Sequence, residues 1–255
     1  MALSIKQIQY FRSLKRNKFR QKYNKFPVEG DKIVREVLEY RPSAIHALMG
    51  LSDWIEPLLP SLESLGITYH LVSEKELQQL SAMSTPNQVI AYLESWEAKW
   101  EPGIWKDKLC FYLDGIQDPG NAGTLMRIAD WFGMPYLFGS LDSADFRHPK
   151  VIQASMGAFL RVACIRVGLP TLLEESADLS VLGADREGKS VFTGPWPQSG
   201  LLVLGREGSG IRPETVALLT DHISIPGKGG GESLNAAVAG GILAAQLLHG
   251  QTKAI

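Results

Sequence analysis

From Lys108 onward, short apolar segments alternate with helical ones, and no other feature of the chain constrains its fold as tightly. The apolar segments are LCFYLDG, PYLFG, ACIRV, SVLGAD, LLVLG and HISIP, each of strand length and bounded by glycine, proline or polar residues. Helices are predicted between them at 119–133, Pro149–Phe159, Pro170–Ala177 and Pro213–Leu219, with a last one from about Ser233 to His249. Strands joined by crossover helices run parallel, and a sheet covered on both faces reads as near-continuous apolar runs. The second half is therefore read as a mostly parallel α/β domain.

The first half has a smaller α/β pattern. Ile5, Ile8, Phe11 and Leu14 recur at helical spacing, and Val28–Tyr40 reads as a second helix. The strand-like AIHALM and TYHLVS alternate with the helical WIEPLLPSLESLG and EKELQQLSAM, and the unit closes near QVIAYLES. The polar, tryptophan-studded WEAKWEPGIWKDK follows, which places a boundary there: a domain over 1–97, a linker over 98–107 and a domain over 108–255. A chain of 255 residues, 45% hydrophobic, can build both cores.

Two cysteines, Cys110 and Cys164, lack the spacing of a disulfide framework or zinc site, which fits a reducing cytoplasm and no metal. No apolar run reaches the ~20 residues of a membrane span. The net charge of −1 hides eight cations within residues 1–26 (Lys6, Arg12, Lys15, Arg16, Lys18, Arg20, Lys22 and Lys25) and no acid. Such a stretch suits a transit peptide or a solvated helix, but it has few serines and runs straight into domain sequence. Clustered cations without acids also draw polyanions, so a phosphate-facing arm is a further reading.

One nucleotide motif matches formally. GADREGKS, Gly183 to Ser190, satisfies the GxxxxGK pattern ending in Ser or Thr, yet it runs into VFTGPWPQSG where a phosphate-binding loop needs a helix. Asp185 and Glu187 would also face the phosphates, so a strand and its turn is the better reading. Neither GREGSG nor GKGGGE satisfies the dinucleotide fingerprint.

Three strand ends deliver loops rich in glycine and side-chain amides: DPGNAGTLMR (Asp118–Arg127), LGREGSGI (Leu204–Ile211) and IPGKGGGESLN (Ile225–Asn235). Ligands of open α/β sheets gather at the carboxyl ends of strands, so these loops suit one shared pocket. In this order they resemble the three motifs of the SpoU (TrmH) family of RNA ribose 2'-O-methyltransferases, of the SPOUT class. HPKVIQASMGAFLRV resembles the family's linking segment. RNKFRQKYNKFPVEGDKIVREVL and LSAMSTPNQVIAYLE are similar to the L30e-like substrate-binding domain that many rRNA-modifying members carry.

The resemblance implies an L30e-like α/β domain followed by a deep trefoil-knotted SPOUT α/β domain, and S-adenosylmethionine as methyl donor. It implies a homodimer in which one subunit's arginine helps complete the partner's site, rRNA as substrate ahead of tRNA, and neither metal nor membrane. At the matching positions Asn121, Arg127, Ser233 and Asn235 are catalytic. Leu204, Gly205, Glu207, Gly208, Ile225, Gly227, Gly230 and Leu234 bind the cofactor. Bare glycine backbone from Gly227 to Gly231 would let main-chain groups approach a flat adenine edge. Outside the resemblance, Asn121 reads as a helix N-cap, Arg127 as a surface arginine, and Ser233 and Asn235 as caps of the last helix. Departures from the family pattern are Gly227 in place of methionine, Arg206 in place of a smaller residue or asparagine, and Ala236–Ala237 in place of Val-Ser. Two rival functions follow from the same residues: an RNA-binding protein that has lost turnover, and an NTPase using Gly183–Ser190.

Overall fold

The computed structural model describes residues 3–100, 107–174 and 179–249. The chain divides into two compact units, Met1–Glu97 with Arg147–Leu160, and Ala98–Phe146 with Arg161–Ile255.

In the first unit, α1 (Ile5–Ser13) and α2 (Asn17–Tyr23) lead into β1 (Lys25–Glu29), α3 (Asp31–Tyr40) and β2 (Ile45–Gly50). Then come α4 (Ser52–Ile55), α5 (Leu59–Ser64), β3 (Tyr69–Leu71), α6 (Glu74–Leu80) and β4 (Val89–Glu94). The sheet order is β1-β4-β2-β3, with β2 and β3 parallel and the other pairs antiparallel. Ser4 with Gln7 and Ser73 with Glu76 close capping boxes that start α1 and α6. Phe11 and Leu14 then bury against Met49, Leu77, Leu80, Ile90 and Tyr92. Each large side chain so buried contributes about 1.5–3 kcal/mol.

Two expectations fail here for stated reasons. Val28–Tyr40 is not one helix: Val28 and Glu29 finish β1, Gly30 turns the chain at φ 106°, and α3 begins at Asp31. Pro27 masked the strand, but β1 lies at the sheet edge, where a missing N–H is tolerated. WIEPLLPSLESLG breaks into α4, a 3-10 turn at Glu56–Leu58 and α5, because Pro57 and Pro60 cannot donate within a continuous helix.

The second unit opens with β5 (Leu109–Leu113), α7 (Pro119–Trp131) and β6 (Tyr136–Gly139). Next in the chain, α8 (Pro149–Ser155) stops short of Phe159, because Met156 and Gly157 both take positive φ before a 3-10 turn at Ala158–Leu160. This stretch groups with the first unit, where α8 packs on β1, so the compact units differ from the division by sequence in one segment. Residues 101–106 of the expected linker lie outside the described residues.

The unit is completed by β7 (Ala163–Arg166), α9 (Leu169–Glu174), β8 (Val181–Ser190), β9 (Gly200–Leu204), α10 (Pro213–Val216), β10 (Asp221–Ser224) and α11 (Ala236–His249). The end of the helix expected at Pro170–Ala177 lies outside the described residues. Six strands in the order β10-β8-β9-β5-β6-β7 are parallel throughout. β5, β6 and β9 are buried along their whole length, as strands covered on both faces must be. Parallel pairing puts the carboxyl ends of β5, β9 and β10 on one sheet edge, from which the three motif loops leave.

Candidate active site

The loop after β5 enters α7 through a firm cap: Asp118 accepts the backbone N–H of Asn121 at 2.8 Å, with Pro119 in the first turn. Asp118, not Asn121, is therefore the N-cap. The Asn121 side chain is released from capping, and its Nδ2 donates to Glu207 Oε1 at 2.8 Å. On the third loop, Asn235 Oδ1 caps α11 by accepting from Ala237 and Val238 N–H at 3.0 and 3.2 Å. Its Nδ2 donates to Asn121 Oδ1 at 2.8 Å and to Glu207 Oε1 at 2.7 Å. Asn121, Glu207 and Asn235 thus close a triangle of hydrogen bonds that joins all three motifs. The helix-capping reading of Asn235 and the functional one hold together, since one amide face serves each.

Beside this triangle lies a cleft of about 220 Å³ lined by Gly115, Ile116, Gln117, Asp118, Asn121, Arg206, Glu207 and Ala236. Arg206 reaches the Gly115 carbonyl and Asp142, while Arg212 reaches Asp142 and the fully buried Asp114. A hydrogen bond from Ser140, joined by the Arg212 and Arg206 charges, holds the Asp142 carboxyl below the usual carboxylate range. None of Asp114, Asp142 and Arg212 was singled out by sequence reasoning. A signal existed for Asp114, a carboxylate closing the apolar run LCFYL, because a buried charge demands a partner.

The remaining expected residues fall into three groups. Gly205 is required by the fold itself: a Cβ there would lie 2.2 Å from the Gly210 carbonyl carbon, where the loop closes on itself. Gly208, like Gly210, holds a positive φ in that loop. Leu204 is buried at the end of β9. By contrast, Gly227, Gly229, Gly230 and Gly231 have no atom within 4 Å of an added Cβ, and none takes a positive φ, so packing within the chain does not call for glycine there. Ile225 is half-buried, while Ser233 and Leu234 lie in the exposed segment before α11, which starts at Ala236 rather than Ser233. Arg127 stands exposed on α7, outside the cleft lining. Trp131, 84% exposed, follows it at i+4 on the same helix face.

The GxxxxGK match lies on β8, not on a loop opening a helix. Gly183 pairs with His222 and Lys189 with Ile223, so residues 184–188 bulge from the ladder, and Lys189 Nζ holds both oxygens of Asp221 at 3.1 Å. The features of a phosphate-binding loop are missing from this stretch. Among the described residues no cluster of three or more His, Cys, Asp or Glu is arranged to hold a metal ion, and no helix is long and apolar enough to cross a membrane.

Comparison with known proteins places the chain in a family. The SpoU rRNA Methylase family matches residues 108–245, and the MRM3-like substrate binding domain matches residues 6–91. The chain is 28% identical over 239 residues to the 23S rRNA (guanosine(2553)-2'-O)-methyltransferase RlmP of Bacillus subtilis, covering 91% of this chain and 92% of that protein. A solved structure from Porphyromonas gingivalis, assigned to the TrmH family of RNA methyltransferases, is 35% identical, covers 97% of this chain and 98% of its own, and superposes with a TM-score of 0.83. The SpoU methyltransferase AviRb of Streptomyces viridochromogenes, solved with AdoMet, shares the fold at 24% identity and a TM-score of 0.85, over 98% of this chain and 99% of that one.

Proposed function

The chain belongs to the SpoU rRNA Methylase family, and we propose on that footing that it methylates a ribose 2'-hydroxyl of ribosomal RNA using S-adenosylmethionine. The observation that carries this reading is the Asn121–Glu207–Asn235 triangle, because it unites three motifs separated by up to 114 residues of sequence. The matching substrate-binding domain over residues 6–91 and the rRNA methyltransferase relative favour rRNA over tRNA.

The residues present suit the donor. Gly227, Gly229, Gly230 and Gly231 around Lys228 have open space at each added Cβ, and the segment leaves the same end of the parallel sheet as the Leu204–Gly205 strand end. When bound, S-adenosylmethionine supplies an electrophilic methyl on sulfonium. The chain's own part is to align the acceptor and ease loss of a reluctant proton. The fixed amides of Asn121 and Asn235, anchored on Glu207, orient the loop ends around the cleft. Ser233, exposed beside them, offers a hydroxyl to the target ribose. The Arg127 guanidinium clamps a nucleotide phosphate and stabilises developing alkoxide, while phosphate or water takes the proton.

The site is completed in a homodimer. α11 buries Ala236, Ala237, Gly240, Leu243, Ala244 and Leu247 within its own unit, and Gly240 is needed because a Cβ would meet Leu125 Cδ2 at 2.5 Å. Its other face carries the exposed Val238 with half-buried Gly241, Ile242 and Ala245. That face, with Trp131 and Arg127 together on α7, supports a partner surface to which Arg127 is delivered. The trefoil knot, the division at 97/98 and 107/108, and a cytoplasmic location belong to the same proposal. Calorimetric titration with S-adenosylmethionine and its demethylated product tests it. Binding of both is expected; heat from neither would remove the donor from the account.

A further inference from the structure

Arg206 departs from the family pattern, and the structure gives its guanidinium specific work. Nε donates to the Gly115 carbonyl at 3.2 Å and Nη2 to Asp142 Oδ2 at 2.5 Å. Asp142 Oδ1 accepts from Arg212 Nη1 at 3.3 Å and from Ser140 Oγ at 2.7 Å. Arg206 and Arg212 are the two ends of the loop that carries Glu207. The backbone ties this loop once, by reciprocal Arg206–Gly210 hydrogen bonds at 2.9 and 3.0 Å. At the far end Asp114 Oδ2 accepts the Arg212 N–H at 2.8 Å, while its Oδ1 accepts from Arg212 Nε at 2.8 Å and Thr215 Oγ1 at 3.1 Å.

We propose that Asp142 and Arg206 are positioning residues for the methyl-transfer site: one carboxylate from the loop after β6 grips both ends of the Arg206–Arg212 loop and so sets Glu207 where it receives the Asn121 and Asn235 amides. The inference rests on the reaction proposed above and adds residues that lie in none of the family's catalytic positions. Arg212 is also held by the buried Asp114, whereas Arg206 has Asp142 as its ion-pair partner, so Asp142 matters most at the Arg206 end. Glu207 itself is exposed and precedes Gly208 and Gly210, both at positive φ, so its own neighbourhood gives it little rigidity. Asp142 is 40% exposed, so as a plain surface ion pair it would contribute little to stability. Its effect is geometric, because a misplacement of about 1 Å at a reacting site slows transfer by roughly 10²-fold.

The test uses full-length Asp142→Asn, Arg206→Ala and Arg206→Lys, with Arg35→Ala as a control that breaks an exposed ion pair in the first unit. Hydrogen exchange is followed at residues 204–212 and at the Ala237 and Val238 amides capped by Asn235, and kcat and KM are measured with RNA. Asp142→Asn and Arg206→Ala are expected to speed exchange at those amides alone, and to lower kcat by roughly 10- to 100-fold at nearly constant KM. Arg206→Lys, which can reach Asp142 or the Gly115 carbonyl but not fork to both, should recover part of kcat. If Asp142→Asn does not fold, Arg206→Ala breaks the same ion pair. Unchanged exchange and kcat, or faster exchange spread evenly over the second unit, would overturn the proposal. Failure of the unaltered protein to methylate RNA would instead refute the reaction, and the exchange pattern would still decide the grip on Glu207.

Discussion

Asn235 donates its side-chain amide to Asn121 Oδ1 at 2.8 Å, although the two stand 114 positions apart in the sequence. That bond joins the first turn of α7 to the cap of α11, with Glu207 as common acceptor of both amides. Asn121 is buried, so Asn121→Ala is expected to lower unfolding stability by about 1–3 kcal/mol and methyl transfer by roughly 10²-fold. Urea melts and single-turnover rates check the two figures separately. Asn121→Asp should be worse than alanine, because it sets a second carboxylate against Glu207.

Arg127 is exposed on α7 and outside the cleft lining, and the proposed homodimer delivers it to the partner's site. Arg127→Ala is expected to leave donor affinity nearly intact while slowing transfer by roughly 10²–10³-fold. Mixing inactive Arg127→Ala protomers with inactive Asn121→Ala protomers should restore activity, since one hybrid site then holds an intact triangle and an intact arginine. No recovery on mixing, under conditions where subunits exchange, would mean that each subunit uses its own arginine.

The basic N-terminus folds into α1 and α2, whose cations divide by burial. Arg20 is 3% exposed and donates to the Leu14 and Lys15 carbonyls, while Lys15 Nζ donates to the Gln79 carbonyl. Arg12, Arg16, Lys18 and Lys22 are exposed, as the proposed contact with RNA phosphates requires. Alanine at these four should weaken RNA binding and flatten the log–log salt dependence by about 0.7 for each phosphate that is no longer neutralised. Arg20→Ala should instead destabilise the fold by about 1–3 kcal/mol, read from thermal or urea unfolding.

Much of this was legible in the sequence because the signals were local. The strands of the parallel sheet announced themselves as short apolar runs, and the three motif loops followed from their glycines and amides. What escaped depends on neighbours distant in sequence. β1 was hidden because Pro27 is acceptable only on an edge, and edges are a property of the finished sheet. The split roles of Asp118 and Asn121 depend on which of two polar residues caps α7, and Asp142 gains meaning only when folding brings it beside Arg206 and Arg212. The family resemblance implied that Gly205 binds the cofactor; the structure adds that its own loop leaves no room for a side chain there.

Burial pushes the Cys110 thiol up to about 12, and burial, aided by Asp114, pushes the Tyr112 hydroxyl up to about 12 as well. Both groups stay neutral in the folded chain at pH values where the unfolded chain ionises. Their contribution to stability is therefore complete below the unfolded thiol value of about 8.5 and is lost as pH rises from there toward 12. Urea midpoints should fall between pH 8 and pH 10, and Cys110→Val should reduce that fall. At pH 8 a thiol reagent should reach Cys110 only after denaturant is added.

The central claim is tested most directly by incubating the purified protein with S-adenosylmethionine carrying a labelled methyl group and ribosomal RNA that lacks the modification, then identifying the labelled nucleoside by mass spectrometry. A single 2'-O-methylated nucleoside is expected, formed at one position and abolished by Asn121→Asp. Label on a base, or donor binding with no label in ribosomal or transfer RNA, would contradict the account.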